Sequence, residues 1–199
     1  MNKGVIATLV AVLVGGVAFM LTQEKPAEEK ATPALAADVK IGVLLGFTGP
    51  IESLTPDMAS GAELAMKEAS DSGAFMSGSK VISVRGDSTC VDAAAATATA
   101  ERLITSDGVS AIMGADCSGV TTAVLQNVAL AKGVVMISPS ATSPALSTVE
   151  DNGLFFRTSP SDARQGQVLA KILKEKGVKS AAISYTNNDY GKGLAASIQ

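Results

Sequence analysis

Residues 110–137 read SAIMGADCSGVTTAVLQNVALAKGVVMI, and this stretch decides the fold. Ser110 to Met113 and Val134 to Ile137 are short apolar runs rich in β-formers, as expected of strands buried on both faces. Between them Val120, Val124, Val128 and Ala131 recur at helical spacing. Strand, helix, strand in that order is the signature of a βαβ unit in a parallel sheet. The same alternation extends outwards, with further strands expected at Val39 to Leu45, Lys80 to Arg85 and Ala181 to Tyr185. Thr55 and Pro56 supply an N-cap and first-turn pair for a helix whose stripe is Met58, Ala62, Ala65 and Ala69. Ser159, Pro160 and Asp162 read as a capping-box start for another, burying Val168, Leu169, Ile172 and Leu173. Four βα units precede residue 160, so the class is α/β with a parallel sheet flanked by helices.

The order changes after the fourth strand. An irregular Ser/Thr/Pro stretch, Ser138 to Thr148, leads to a short apolar run at Leu154 to Arg157 and then to a fresh helix. Phe156 to Pro160 therefore reads as the crossing between two lobes, with residues 38–157 forming lobe 1 and 158–199 beginning lobe 2. Lobe 2 receives one helix, one strand and the first turns of another helix, too little apolar sheet to be stable alone. The expectation is a truncated second α/β lobe, from a parent nearly twice as long as these 199 residues.

Ahead of the globular part, Lys3 precedes an apolar run from Gly4 to Leu21, and polar residues follow at once. Residues 1–21 read as a secretory signal peptide or an uncleaved membrane anchor, the chain's only expected membrane contact. Gly15 and Gly16 followed by Val17 and Ala18 would supply a cleavage site. No cysteine lies nearby, which excludes a lipoprotein anchor. Residues 22–37 (TQEKPAEEKATPALAA) mix Pro, Glu, Lys and Ala without apolar spacing, the composition of a flexible linker.

Composition narrows the function. A net charge of −3 provides no basic field for phosphates, which argues against nucleic acid. Histidine is absent, removing the commonest general base and zinc ligand together. No catalytic residue, metal or cofactor is expected. Open parallel sheets instead bind ligands beyond the carboxyl ends of their strands, and there two loops are rich in hydroxyls: Gly114 to Gly119 (GADCSG) and Ile137 to Pro144 (ISPSATSP). Hydroxyls and free N–H groups suit a ligand carboxylate. Singly, Ser118 could merely cap its helix, and Ser140 and Thr142 merely satisfy a turn. Their coincidence at adjacent strand ends favours a ligand site made of Ser118, Ser140, Ala141 and Thr142.

Cys90 and Cys117 follow the second and third strands at one end of the sheet. A disulfide between them fits an oxidising compartment and would tie two binding-edge loops, whereas Cys117 as a nucleophile lacks a histidine partner. Gly191 to Ala196 matches G-x-G-x-x-A, yet Thr186 to Tyr190 separate it from the preceding strand, so it reads as a helix start rather than a dinucleotide fingerprint. Tyr190, at the mouth of a second-lobe strand, can be a surface turn residue or can close over a ligand.

Five motifs in register carry a resemblance to a known family: GFTGP at 46–50 with Gly61 heading the first helix, GADCSG at 114–119, ISPSATSPAL at 137–146, FFRTSPSDARQG at 155–166 and NNDYGKG at 187–193. From Val39 onwards the chain resembles the branched-chain amino-acid (leucine/isoleucine/valine) binding proteins, periplasmic binding proteins of type I that serve ABC transporters. The resemblance implies capture of an amino acid in the periplasm and delivery to an ABC transporter membrane permease. It implies that Ser118 and Thr142 bind the ligand carboxylate, that the backbone at Ser140 helps hold the α-amino group, that Tyr190 covers the ligand, and that Cys90 and Cys117 pair. An acidic residue completing the ammonium site in that family would lie beyond Gln199. Two departures stand out. Leu54 occupies a position where leucine-binding members tend to carry a pocket tyrosine, which leaves side-chain preference open, and Ser140 replaces the usual alanine. The same residues would also serve the sensor domain of a membrane receptor, or a fragment without function.

Overall fold

The computed structural model describes residues 37–199. The export segment read at 1–21 and the linker read at 22–37, Ala37 excepted, lie outside them.

Five parallel strands form one sheet in the order β2-β1-β3-β4-β5. They are β1 (Val39–Leu45), β2 (Val81–Asp87), β3 (Ala111–Gly114), β4 (Val135–Ser138) and β5 (Phe155–Arg157). The register is set from the middle: Gly42 pairs with Val84 on one side and Ile112 on the other, while Ile137 pairs with Phe156. The run at Leu154 to Arg157 thus supplies the fifth strand of the first sheet. Helices α1 (Thr55–Asp71), α2 (Ala93–Thr105) and α3 complete this layer. Helix α3 starts as Ser118–Val124, passes through a π-helical turn at Leu125–Ala129 and ends as Leu130–Lys132.

Alternation along the strands divides the core into two clusters. Leu44, Ile112 and Met136 are fully buried with Ala96, Ala100 and Leu103 of α2 and Val120, Val124 and Val128 of α3. Val43 and Leu45 pack with Ala59 of α1. Small side chains on α2 permit close approach of the helix to the sheet, as the Ala-rich, aromatic-poor composition requires.

Several local expectations need correction. The π turn carries one extra residue, so the buried stripe of α3 continues through Leu125 and Ala129, and Ala131 is exposed. Leu54 rather than Thr55 holds the N-cap position of α1; the Thr55 hydroxyl is buried and donates to the Gly46 carbonyl at 3.1 Å. Gly61 lies inside α1 instead of heading it, and Ala65 faces outwards. Helix α4 (Asp162–Glu175) is capped by Ser161, whose hydroxyl accepts from the Ala163 N–H at 3.3 Å, and not by Ser159.

The larger correction concerns residues beyond 160. No strand forms at Ala181 to Tyr185, and Val168, Leu169 and Ile172 of α4 are about 40% exposed rather than buried. One cause underlies both. Among the described residues no strand lies beside 181–185 to accept and donate ladder hydrogen bonds, so α4 has no sheet to cover. Helix α5 (Asp189–Ile198) follows, and the G-x-G-x-x-A segment is indeed its first turns, capped by Asn188 accepting from the Gly191 N–H at 2.9 Å. Among the described residues no helix is long and apolar enough to cross a membrane.

Gly114 closes β3 with φ +138°, where a Cβ would stand 2.1 Å from the Leu44 carbonyl oxygen. No side chain fits this approach of β3 to β1. Gly114→Ala is expected to destabilise the chain by about 3 kcal/mol or more, seen as a lowered midpoint in urea unfolding.

Candidate ligand-binding site

Because the strands are parallel, the chain leaves each of them at the same edge of the sheet, and the loops after β1, β2, β3 and β4 meet there. Asp116 organises them. Its carboxylate is buried, accepting from the Gly46 N–H at 2.6 Å, the Ser88 hydroxyl at 3.0 Å and the Cys117 N–H at 2.9 Å. One side chain therefore holds the segments after β1, β2 and β3 in fixed relation. Its own carbonyl accepts from the Ser140 hydroxyl at 3.0 Å, adding the loop after β4.

Cys90 and Cys117 form a disulfide between the second and third of these loops, with their Cα atoms 5.2 Å apart. Beside it Asp87 accepts from the Thr48 hydroxyl at 2.6 Å and the Thr89 N–H at 2.8 Å. Burial alone would raise this carboxyl, but the Thr48 hydroxyl and the backbone N–H groups of Thr89, Thr48 and Phe47 outweigh it and hold it below the ordinary aspartate range. The carboxylate ties the GFTGP turn to the chain that follows β2.

The loop after β4 is held from three sides. Ser138 donates its hydroxyl to the Ala115 carbonyl and accepts from the Ala141 N–H at 3.0 Å. The Ser118 hydroxyl oxygen accepts from the Ser143 N–H at 3.1 Å, joining the start of α3 to the loop. From β5 the Arg157 guanidinium donates to the carbonyls of Ala141 at 3.2 Å and Ser143 at 2.9 Å, and to the Ser147 hydroxyl. Burial presses the Arg157 pKa down and the nearby Asp162 carboxylate presses it up, burial prevailing; the side chain remains cationic throughout the physiological range. Thr142 donates its hydroxyl to the buried Asp162 carboxylate at 2.7 Å, and its carbonyl accepts from the Asp162 N–H at 2.9 Å.

Ser118, Ser140, Ala141 and Thr142 are thus brought together at one sheet edge, as their sequence positions suggested. Ser118 and Ala141 are buried, whereas Ser140 and Thr142 are half-buried. The extra hydroxyl at Ser140 is accounted for by its bond to Asp116. Leu54 is 55% exposed at the start of α1. Tyr190 is 43% exposed and lines a shallow depression of about 250 Å³ with Ile183, Tyr185, Leu194 and Ile198. The helix that bears it nevertheless reaches the start of α3 and the loop after β4. The Asp189 carboxylate lies 3.9 Å from where a Cβ on Gly119 would stand, and Gly193 backs onto Pro144 so closely that a Cβ there would meet its ring at 2.8 Å.

Asp116, Arg157 and Asp162 were not read from sequence as site residues, Asp162 having entered only as part of a capping-box start. Asp116 sits within GADCSG, and a charged residue inside an otherwise small and hydroxylic turn was the available signal. Arg157, directly after an apolar strand, was another.

A parallel α/β sheet with fastened polar loops at its carboxyl edge is the arrangement in which open α/β sheets hold ligands. Comparison with known proteins carries this further: residues 38–199 match the family model described as periplasmic binding protein, and the chain belongs to that family. A Leu/Ile/Val-binding protein of Citrobacter freundii is 34% identical over 83% of this chain and 44% of its own length. Its counterpart in Escherichia coli K12 is 33% identical over the same shares. Among solved structures, the branched-chain amino acid transporter substrate binding protein LivJ of Streptococcus pneumoniae, in complex with isoleucine, superposes with a TM-score of 0.71 at 31% identity, over 80% of this chain and 45% of that one. An ABC transporter substrate-binding protein of Desulfitobacterium hafniense in complex with Leu gives 0.67 at 31% identity, over 81% and 46%. The chain thus spans about 44% of the length of its curated relatives, and its sheet is that of type I periplasmic binding proteins.

Removing the disulfide tests its contribution to this edge. It closes a sequence separation of 27, for which chain entropy gives about 3.5 kcal/mol. The double variant Cys90→Ser, Cys117→Ser is expected to lose stability of that order in chemical unfolding.

Proposed function

We propose that this chain contributes the first lobe, and the beginning of the second, of an extracytoplasmic solute-binding protein that captures a small amino acid for an ABC transporter. The observation that carries the reading is the state of Ser118. Its oxygen already accepts the Ser143 N–H, which leaves its proton to donate towards a ligand carboxylate within a cup of pre-fixed loops. The named ligands of the relatives, leucine, isoleucine and valine, support an amino acid. The disulfide supports an oxidising compartment, the periplasm, reached through the segment at 1–21.

In this reading residues 38–157 form lobe 1 and 158–199 begin lobe 2, with Phe156 to Pro160 as the crossing. Lobe 1 binds first because its cup is already fastened by Asp116, Arg157 and the disulfide, so little ordering entropy remains to be lost. Tyr190, borne by the helix that approaches Gly119 and Pro144, closes over the ligand from the other side. Extra contacts in the closed form shift an open–closed equilibrium, and the membrane permease recognises that form. The protein performs no chemistry on its ligand.

Calorimetric titration with leucine, isoleucine, valine, alanine and amides tests this directly. Saturable heat from at least one is expected, and silence from all of them contradicts the proposal. Ser118→Ala should weaken binding by about 1 to 3 kcal/mol, roughly five- to a hundred-and-fiftyfold in Kd.

A further inference from the structure

Helix α5 carries glycine at 191 and 193, within its first two turns, where alanine is the better helix former. Gly191 is enclosed by its own loop, since a Cβ there would stand 2.2 Å from the Thr186 carbonyl oxygen. Gly193 meets a different element: a Cβ on it would stand 2.8 Å from the Pro144 ring and 3.2 Å from the Ser143 hydroxyl oxygen. Its φ lies outside the left-handed region, so the backbone does not require glycine at 193 and only this close approach does. A third glycine joins α5 to α4. A Cβ on Gly166 would stand 2.2 Å from the Ser197 carbonyl oxygen, so the two helices touch backbone to backbone and form one body. That body is attached to the sheet in two ways. The chain from β5 leads into α4, where Asp162 is bonded to Thr142. The other attachment is the seat of Gly193 on the turn Pro144–Ser147, and among the described residues no hydrogen bond or ion pair joins α5 to that turn. It is held by van der Waals contact, which fades within an ångström of separation.

We infer that Gly193 is a positioning residue for capture: by letting α5 settle on Pro144 with no side chain between them, it sets the fraction of molecules in which the α4–α5 pair is docked on the sheet, and through that fraction the affinity for ligand. The inference rests on the proposed function and adds to it. Tyr190 lies three residues ahead of Gly193 on the same helix and moves with it. A ligand covered by Tyr190 gains that contact only in the docked molecules, so the measured Kd is the intrinsic one divided by the docked fraction. One methyl group at position 193 is enough to wedge the pair away, because the Pro144 ring has no rotamer to escape into and overpacking is costly. Gly193 acts through docking and not by touching the ligand.

Spin labels on Glu150→Cys, just past the turn, and Lys192→Cys on α5, both at exposed positions, report the separation in the full chain with its disulfide intact. Gly193→Ala should raise the ratio of undocked to docked molecules by about tenfold, seen as loss of the short-distance population, and should weaken leucine in calorimetry by up to the same factor. Its urea midpoint should not fall, since alanine favours the helix. Adding Pro144→Ala, which removes the ring atoms that the new methyl meets, should restore both the separation and the affinity. Gly119→Ala, whose methyl would come no nearer to Asp189 than 3.9 Å, should leave the separation alone. An unchanged separation in Gly193→Ala overturns the inference, as does weaker leucine binding without a change in separation, or no recovery when Pro144→Ala is added. Silence of the wild-type chain towards leucine, isoleucine and valine overturns the proposed function instead, and the separations still decide whether Gly193 governs docking.

Discussion

The carboxylate of Asp116 lies 2% exposed at the carboxyl edge of the sheet, where it takes hydrogen bonds from the chain following β1, β2 and β3. Removing a carboxylate from water costs several kcal/mol, and only a full set of well-aimed donors offsets it. The three loops are therefore not free to move separately: displacing any one leaves a charge or an N–H group unsatisfied in a buried place. The disulfide and the Asp87 turn reinforce the same edge, and the Ser140 hydroxyl carries the constraint on to the loop after β4.

That constraint gives the hydroxyls their meaning. Serine and threonine in a mobile loop would rotate to suit any partner, water included. Here the Ser118 oxygen accepts from the Ser143 N–H and the Thr142 hydroxyl donates to Asp162, partners themselves held by Arg157 and the first turn of α4. Hydroxyls fixed in this way lower the ordering cost of the binding proposed for this edge. Asp162 also begins the helix that follows the crossing from β5, so the loop after β4 and the first turn of that helix share a pair of hydrogen bonds.

Much of this was legible in the residues, and what escaped has identifiable causes. The strands at 39–45, 110–113 and 134–137 are short continuous apolar runs, so their period and bounds were readable to within a residue or so. The clustering of Ser118, Ser140 and Thr142 followed from parallel strands alone, because every loop after a strand emerges at one edge. Periodicity cannot show where a helix changes pitch, and the π turn at Leu125–Ala129 accordingly moved the buried face from Ala131 to Ala129. The strand expected at 181–185 had the right composition, but composition cannot supply a neighbouring strand. Asp116 and Asp162 were missed because a buried carboxylate is recognisable only once its donors are placed, and those donors are backbone N–H groups and hydroxyls distant in sequence.

The claim on which the account turns is that the cup fastened by Asp116 is the seat of the ligand. A crystal structure of the chain with a bound branched-chain amino acid measures it directly. The account predicts the ligand seated on these loops, its carboxylate within hydrogen-bonding reach of the Ser118 hydroxyl. A ligand lying in the opposite sense, or seated away from the loops that follow β3 and β4, would contradict it.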